Sequence, residues 1–558
     1  MKAFAAIRTF TNGWRRGNPD IQVASGKNIV MLKHTLGNPS EFGDILHHLN
    51  CRVGLTALSL WKGERPRFDG YRLYAGFEGF LTRETLDRVA AIEDERERHR
   101  IKFAFMDHYL QRHLYSHDTE FRAWSSSAAA HVNGQKIYFR EVIPWCQKSS
   151  TRIERLQLQK ETTALCRFLK PFAINYWKEL LELLKADFGI DAYIDFCQEK
   201  KGIDYPLYYQ RIKQFLKDSE GIYFAAMEKW SRNRFGLPLS DLTRFDAINL
   251  LGLSEFDRLC PSTPAWDYLP FFKHWDMDPQ SMEGLTLYMG TETRKSAQAM
   301  SFIVQVPEEI YLVMKPTGGW IDLETLWHEL GHGLSAVYTS PKLSMSDRNL
   351  AVSFNLSEAY AFLLQNLTLT RPFLTSMVGL TDAAAATLEF YKELKDFSSF
   401  RRYCAKFIAE YEMFDEGDLS KGQNYADLMR RHTGFYHQPD SHLFDLVPEF
   451  YCLDYLLGWM AESLMREYFS NRFGATWMFR AETGEVLRGT VWTYLISWKP
   501  TIWAGFPWRT SWLDGRRCLI GDDHYPVRAQ YGAVGLTGTA AWLFYELIYL
   551  YKFSNENF

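Results

Sequence analysis

The chain has 558 residues, 46% hydrophobic and 16% aromatic, and its 64 basic and 67 acidic side chains leave a net charge of −3. A composition this apolar describes a globular protein with a large buried core and excludes a disordered chain. The near-neutral balance, with no basic arm, zinc-knuckle spacing or run of like charge, points away from a nucleic-acid partner.

In chain order, the opening MKAFAAIRTFTNGWRR lacks an unbroken apolar stretch and a small-residue cleavage site, so no signal peptide is expected. Eight cysteines, at 51, 146, 166, 197, 260, 404, 452 and 518, form no CxxC pair and read as reduced, buried thiols of a cytoplasmic protein. Without export, the sequons at Asn355 and Asn366 carry no weight. Residues 82–115 run without Gly or Pro after Thr82, Glu84 and Thr85, a helix-opening signature, and predict one long helix. Stretches 154–188 and 206–234 repeat apolar positions at threes and fours in the same way. No fixed-period repeat is present, which excludes a solenoid. Pro and Gly become denser over 236–290, and there we place the boundary between a helical N-terminal lobe, 1–245, and a catalytic lobe, 246–558.

Strand signals are concentrated in AMSFIVQVPEEIYLVMKP, with β-rich runs at Phe302–Val306 and Ile310–Met314. TGGWID then turns the chain, and Asp322 is placed to cap a helix from about Leu323. That helix carries TLWHELGHGLSAVY. His328 and His332 are four apart, on one helical face, and can direct two imidazole nitrogens at one metal ion. Glu329 stands beside that face, where its carboxylate can hold a water bound to the ion and take its proton. This is the HExxH arrangement, which chance alone produces in only a small minority of chains this long. Its context favours a site: Leu326, Trp327, Leu330 and Leu334 make the helix apolar, so bare imidazoles there are costly. Gly331 and Gly333 each cost about 1 kcal/mol relative to alanine, which implies that something approaches closely.

A catalytic zinc needs a third protein ligand. Glu358, in the apolar stretch SFNLSEAYAFLLQNL, is a carboxylate that needs a partner if buried, and a metal is a good one. It lies too far beyond His332 for metzincin spacing. Asp347 is closer but reads as a loop or cap residue.

TLWHELGHGL, the preceding EEIYLVMKP, Glu358-Ala359, Gln365-Asn366 and the later VPEFYCLDYLLGWMAESL together resemble the thimet oligopeptidase and oligoendopeptidase F family. The resemblance covers about 290–475 and extends to the helical first half in style only. It implies a mostly α fold, a two-lobed helical clamshell with a small β-sheet beside the zinc-binding helix. It implies a zinc-dependent endopeptidase that hydrolyses short peptides in a deep channel, with His328, His332 and Glu358 as Zn2+ ligands and Glu329 as general base. By the same resemblance Tyr451 and Tyr455 donate to the oxyanion. Ile310, Leu312 and Met314 belong to an edge strand on which the peptide adds backbone pairing, and His442 lies near the substrate. Two departures stand out. Gln365 replaces an acid common in the family, and the family's substrate-binding histidine falls near Asp445.

The nearest rival is a zinc carboxypeptidase of the carboxypeptidase Taq type, also helical and also HExxH with a distant glutamate. A catalytically silent helical binding protein is the third reading, and the intact Glu329 weighs against it. Residues 532–551 approach the length of a bilayer span, but Glu546, three glycines and several tyrosines favour a buried C-terminal helix, so no membrane partner is expected.

Overall fold

A computed structural model describes residues 38–493, apart from positions 67, 69, 149, 150, 261, 262, 293, 294 and 297. The opening segment, Cys518 and the stretch 532–551 lie outside it. The described chain is mostly helical. Helix α1 (Phe42–Trp61) comes first. The run from Thr82 is then two helices rather than one, α2 (Arg83–Val89) and α3 (Glu95–Ser127). Asp94 causes the break: its carboxylate accepts the Glu97 N–H at 2.7 Å and caps a new helix. A short hairpin, β1 (Ala129–Val132) and β2 (Gln135–Tyr138), follows.

Helix α4 (Arg152–Phe188) opens on a capping box between Thr151 and Glu154 and stops at Gly189, where φ is 69°. After α5 (Tyr193–Lys201), the predicted stretch 206–234 is again divided, into α6 (Tyr205–Asp218) and α7 (Glu220–Phe235). Ser219 separates them, its hydroxyl donating back to the Phe215 carbonyl at 2.7 Å. The expected lobe boundary falls inside α8 (Arg244–Leu251), and one large apolar cluster runs across it, from Phe42 to Trp492.

Next come β3 (Leu285–Tyr288), β4 (Met300–Gln305) and β5 (Glu309–Val313), in the order β3-β5-β4. The pairing is parallel between β3 and β5 and antiparallel between β4 and β5. This overturns the edge-strand expectation for Ile310, Leu312 and Met314. β5 is the middle strand, and those three side chains are 0%, 0% and 2% exposed. The sequence reading misses β3, whose four residues, LTLY, are too short a run to stand out. The sheet edges are β3 and β4.

Helix α9 (Trp320–Val337) begins earlier than expected. Asp322 therefore lies inside its first turn, and it accepts the N–H groups of Thr317 and Gly318 at 2.8 and 2.6 Å, folding the preceding loop back onto the helix. The remaining long elements are α10 (Asn355–Gln365), α11 (Asp382–Asp415), α12 (Gly422–Thr433) and α13 (Tyr451–Phe473). α9 packs against β4 and β5 on one side and α10 on the other, and α10 packs in turn on α13. Two glycines allow this. A Cβ on Gly331 would stand 2.5 Å from Ala361 Cα, and one on Gly458 would stand 2.7 Å from Glu358 Cβ. The close approach implied by Gly331 is therefore that of α10, which carries Glu358.

Candidate active site

Helix periodicity brings His328 and His332 together on α9, with ring centres 4.9 Å apart. Gly331, between them, lets α10 lie close enough for Glu358 to face both rings. Glu358 Oε2 is 3.5 Å from His328 Nε2, and Glu358 Oε1 is 3.8 Å from His332 Nε2. The ligating atoms of the three residues all lie within 4.8 Å of one another.

The far nitrogens of both rings are engaged. His328 Nδ1 lies 2.8 Å from Gln365 Oε1, an oxygen that can only accept, so Nδ1 donates to it and Nε2 is the nitrogen turned to Glu358. His332 Nδ1 lies 2.8 Å from Ser357 Oγ. Partners of this kind fix ring orientation and tautomer at metal sites. At Gln365 an amide oxygen supplies the acceptor that the His328 ring needs. Ser357 and Gln365 both flank Glu358 on α10, Gln365 two turns on and on the same face, so helical spacing could have pointed to it.

Glu329 is 8% exposed. Its backbone carbonyl accepts from Ser301 Oγ of β4 at 2.8 Å, which ties the helix to the sheet at this residue. Its Oε2 is buried and has no hydrogen-bond partner among the described residues. Buried carboxylate oxygens are costly in that condition, so the geometry favours a further group here. Two imidazole nitrogens and a carboxylate oxygen make a donor set that fits a zinc ion.

The site opens on a cavity of about 460 Å³ lined by His328, Glu329, Tyr451 and Tyr455 among others. Tyr451 donates its hydroxyl hydrogen to Glu358 Oε1. That bond holds the carboxylate in place and competes with the oxyanion role expected of Tyr451. Tyr455 stacks on Tyr403, with ring centres 4.9 Å apart and planes at 16°. The turn before α13 is held from α5. Lys200 bridges Asp107 and Glu449 at 2.6 and 2.7 Å, and Lys201 reaches Asp454 at 2.5 Å. Asp454 in turn accepts from Ser353 Oγ at 2.7 Å, just before α10.

The structure does not bring His442 to this cavity. Its two ring nitrogens lie 2.8 and 2.9 Å from the carbonyls of Pro439 and Leu419, which makes it a buried brace between loops. His437 and Asp445 line the cavity instead, as do Arg244 and Arg402. The sequence resemblance points near Asp445, but nothing in the sequence brings Arg244, Arg402 and His437 to it, because their association depends on distant parts of the chain. Asp347 is not near the site; it pairs with Arg96 and Arg100 at 2.8 and 3.3 Å.

No family model matches this sequence, and no curated protein matches it. The fold is shared with solved structures. A PZ peptidase A in complex with an inhibitor matches with a TM-score of 0.59 at 10% identity, covering 88% of this chain and 94% of that one. A chain from Bacillus anthracis str. Ames, assigned as an oligoendopeptidase F, matches with a TM-score of 0.55 at 12% identity, covering 89% of this chain and 94% of that one.

Proposed function

We propose that this chain is a zinc-dependent peptidase of the thimet oligopeptidase and oligoendopeptidase F type, acting as an endopeptidase on short peptides within the cavity. One observation carries the reading: two histidines on one helix and a glutamate on another converge within 4.8 Å, beside a second glutamate whose buried oxygen lacks a partner among the described residues. The likeness in fold to two structures described as peptidases supports it.

His328, His332 and Glu358 would hold the ion. When bound, zinc acts as a Lewis acid that acidifies water and polarises a carbonyl. Glu329 takes the proton of the attacking water and returns it to the departing amine. Gln365 and Ser357 keep the imidazoles aimed, and Tyr451 keeps Glu358 in place. Tyr455, on the cavity wall, is the candidate donor to the developing oxyanion. Backbone pairing with an extended peptide falls to β4, an edge strand immediately preceded by Ala299, which lines the cavity with Glu329.

Short peptides are the expected substrates, because a folded protein cannot enter a cavity of this size. The absence of disulfides among the described cysteines supports a cytoplasmic location. No helix among the described residues is long and apolar enough to cross a membrane.

The deciding experiment combines metal analysis of purified protein with digestion of a peptide blocked at both ends. One zinc per chain and internal cleavage of the blocked peptide are expected. Stepwise loss of single C-terminal residues, abolished by amidation, would instead establish a carboxypeptidase. Full metal with no hydrolysis of any peptide would defeat the peptidase reading.

A further inference from the structure

The cations lining the cavity are neutralised unequally. Lys395 pairs with Glu324 and lies 3.6 Å from Asp396. Lys406 pairs with Glu410. Arg402 and Arg244, by contrast, share one carboxylate, Asp445.

That carboxylate is already committed. Arg402 Nη2 donates to its oxygens at 2.5 and 2.6 Å, and the Tyr425 hydroxyl donates at 2.8 Å. Arg244 stands off at 3.7 Å, beyond hydrogen-bonding distance, with its side chain 23% exposed. Among the described residues the Arg244 guanidinium donates no hydrogen bond, and Asp445 is the only carboxylate within 4 Å of either arginine. His437 adds no charge at neutral pH, because burial and the two arginines hold it well below its ordinary pKa. One positive charge, with its planar set of donors, is therefore left facing the cavity. Its geometry suits a carboxylate. The position is continuous with the metal site: the Arg402 guanidinium lies 5.5 Å from the Tyr403 ring centre, and Tyr403 stacks on Tyr455.

We propose that Arg244, backed by Arg402, forms an anion subsite in this cavity that takes a carboxylate of the bound peptide, from an acidic side chain or from the C-terminus. The proposal rests on the peptidase reading and names a substrate preference within it. Asp445 competes with the ligand for the same guanidinium and so tempers the site.

The test measures binding rather than turnover. Metal-loaded Glu329→Gln protein is titrated calorimetrically with three kinds of N-acetylated tetra-alanine probe. One is amidated and neutral, one has a free C-terminus, and one is amidated with a glutamate at each position in turn. At least one carboxylate probe is expected to bind about tenfold more tightly than the neutral peptide, a typical scale for a charge-assisted contact. The probe that does so identifies the source of the carboxylate. Adding Arg244→Gln should bring the affinity ratio close to one. Asp445→Asn, which removes the competitor, should widen it.

Equal affinities for all probes would overturn the subsite, and so would a preference that survives Arg244→Gln, because the anion would then be held elsewhere. The two readings fail separately. Cleavage of the neutral peptide by the wild-type chain with flat affinities defeats the subsite alone. A wild-type chain that cleaves nothing defeats the peptidase reading, while the binding ratios still decide the subsite.

Discussion

Glu358, in the histidine cluster, and Asp445, on the cavity wall, are both buried carboxylates, 0% and 7% exposed, and each accepts a hydrogen bond from a tyrosine, Tyr451 and Tyr425 respectively. They differ in what else faces them. Burial alone would push Asp445 toward its neutral form, but Arg402 and then Arg244 outweigh it and hold the carboxyl well below the usual range. Glu358 faces two imidazoles, at 3.5 and 3.8 Å, neither of which carries a permanent charge. A carboxylate against a guanidinium is a finished ion pair. A carboxylate against two imidazole nitrogens is a set of groups that a cation can complete.

The sharpest test sets the two carboxylates against each other. Glu358→Ala is expected to lose zinc and all peptidase activity, as metal analysis and a peptide assay would register. Asp445→Ala should keep its zinc but lose on the order of 3 kcal/mol of stability in denaturant titration, because it leaves buried guanidinium charge uncompensated. Equal loss of metal from both would break the distinction.

Glu329→Gln comes next. It should retain zinc while kcat falls by about 10²–10⁴-fold, since glutamine keeps the shape but cannot accept the proton. Near wild-type turnover would remove Glu329 from the chemistry.

The two tyrosines should then separate. Tyr455→Phe is expected to lower kcat about a hundredfold with little change in KM, the scale for one oxyanion donor. Tyr451→Phe should register in zinc affinity, through Glu358. Destabilisation of Tyr455→Phe with kcat preserved would make that residue a packing aromatic.

The smallest effect is expected of Gln365→Ala, which removes the acceptor for His328 Nδ1. Zinc affinity should weaken about tenfold to a hundredfold in a competition titration with a chelator. No change would show that α9 and its packing orient the ring unaided.

What was legible in the sequence was the chemistry that local spacing carries. His328 and His332 share a face because a helix repeats every 3.6 residues, and Glu329 stands beside that face for the same reason. Glu358 could be picked out because an apolar helix does not bury a carboxylate without a partner. Helix content followed from periodicity, but helix ends did not. At Asp94 and Ser219 a single side chain bonded to nearby backbone and divided a continuous apolar pattern.

What only the tertiary structure decided depends on residues that meet from a distance. β5 became a middle strand because β3 pairs with its second side, and Ile310, Leu312 and Met314 went into the core with it. Arg402 and Asp445 are 43 residues apart in sequence, and Arg244 joins them from α8. His442 turned to two backbone carbonyls while Asp445 came to the wall. A repeat along one helix is written in consecutive residues; which charges share a cavity is written only in how the helices pack.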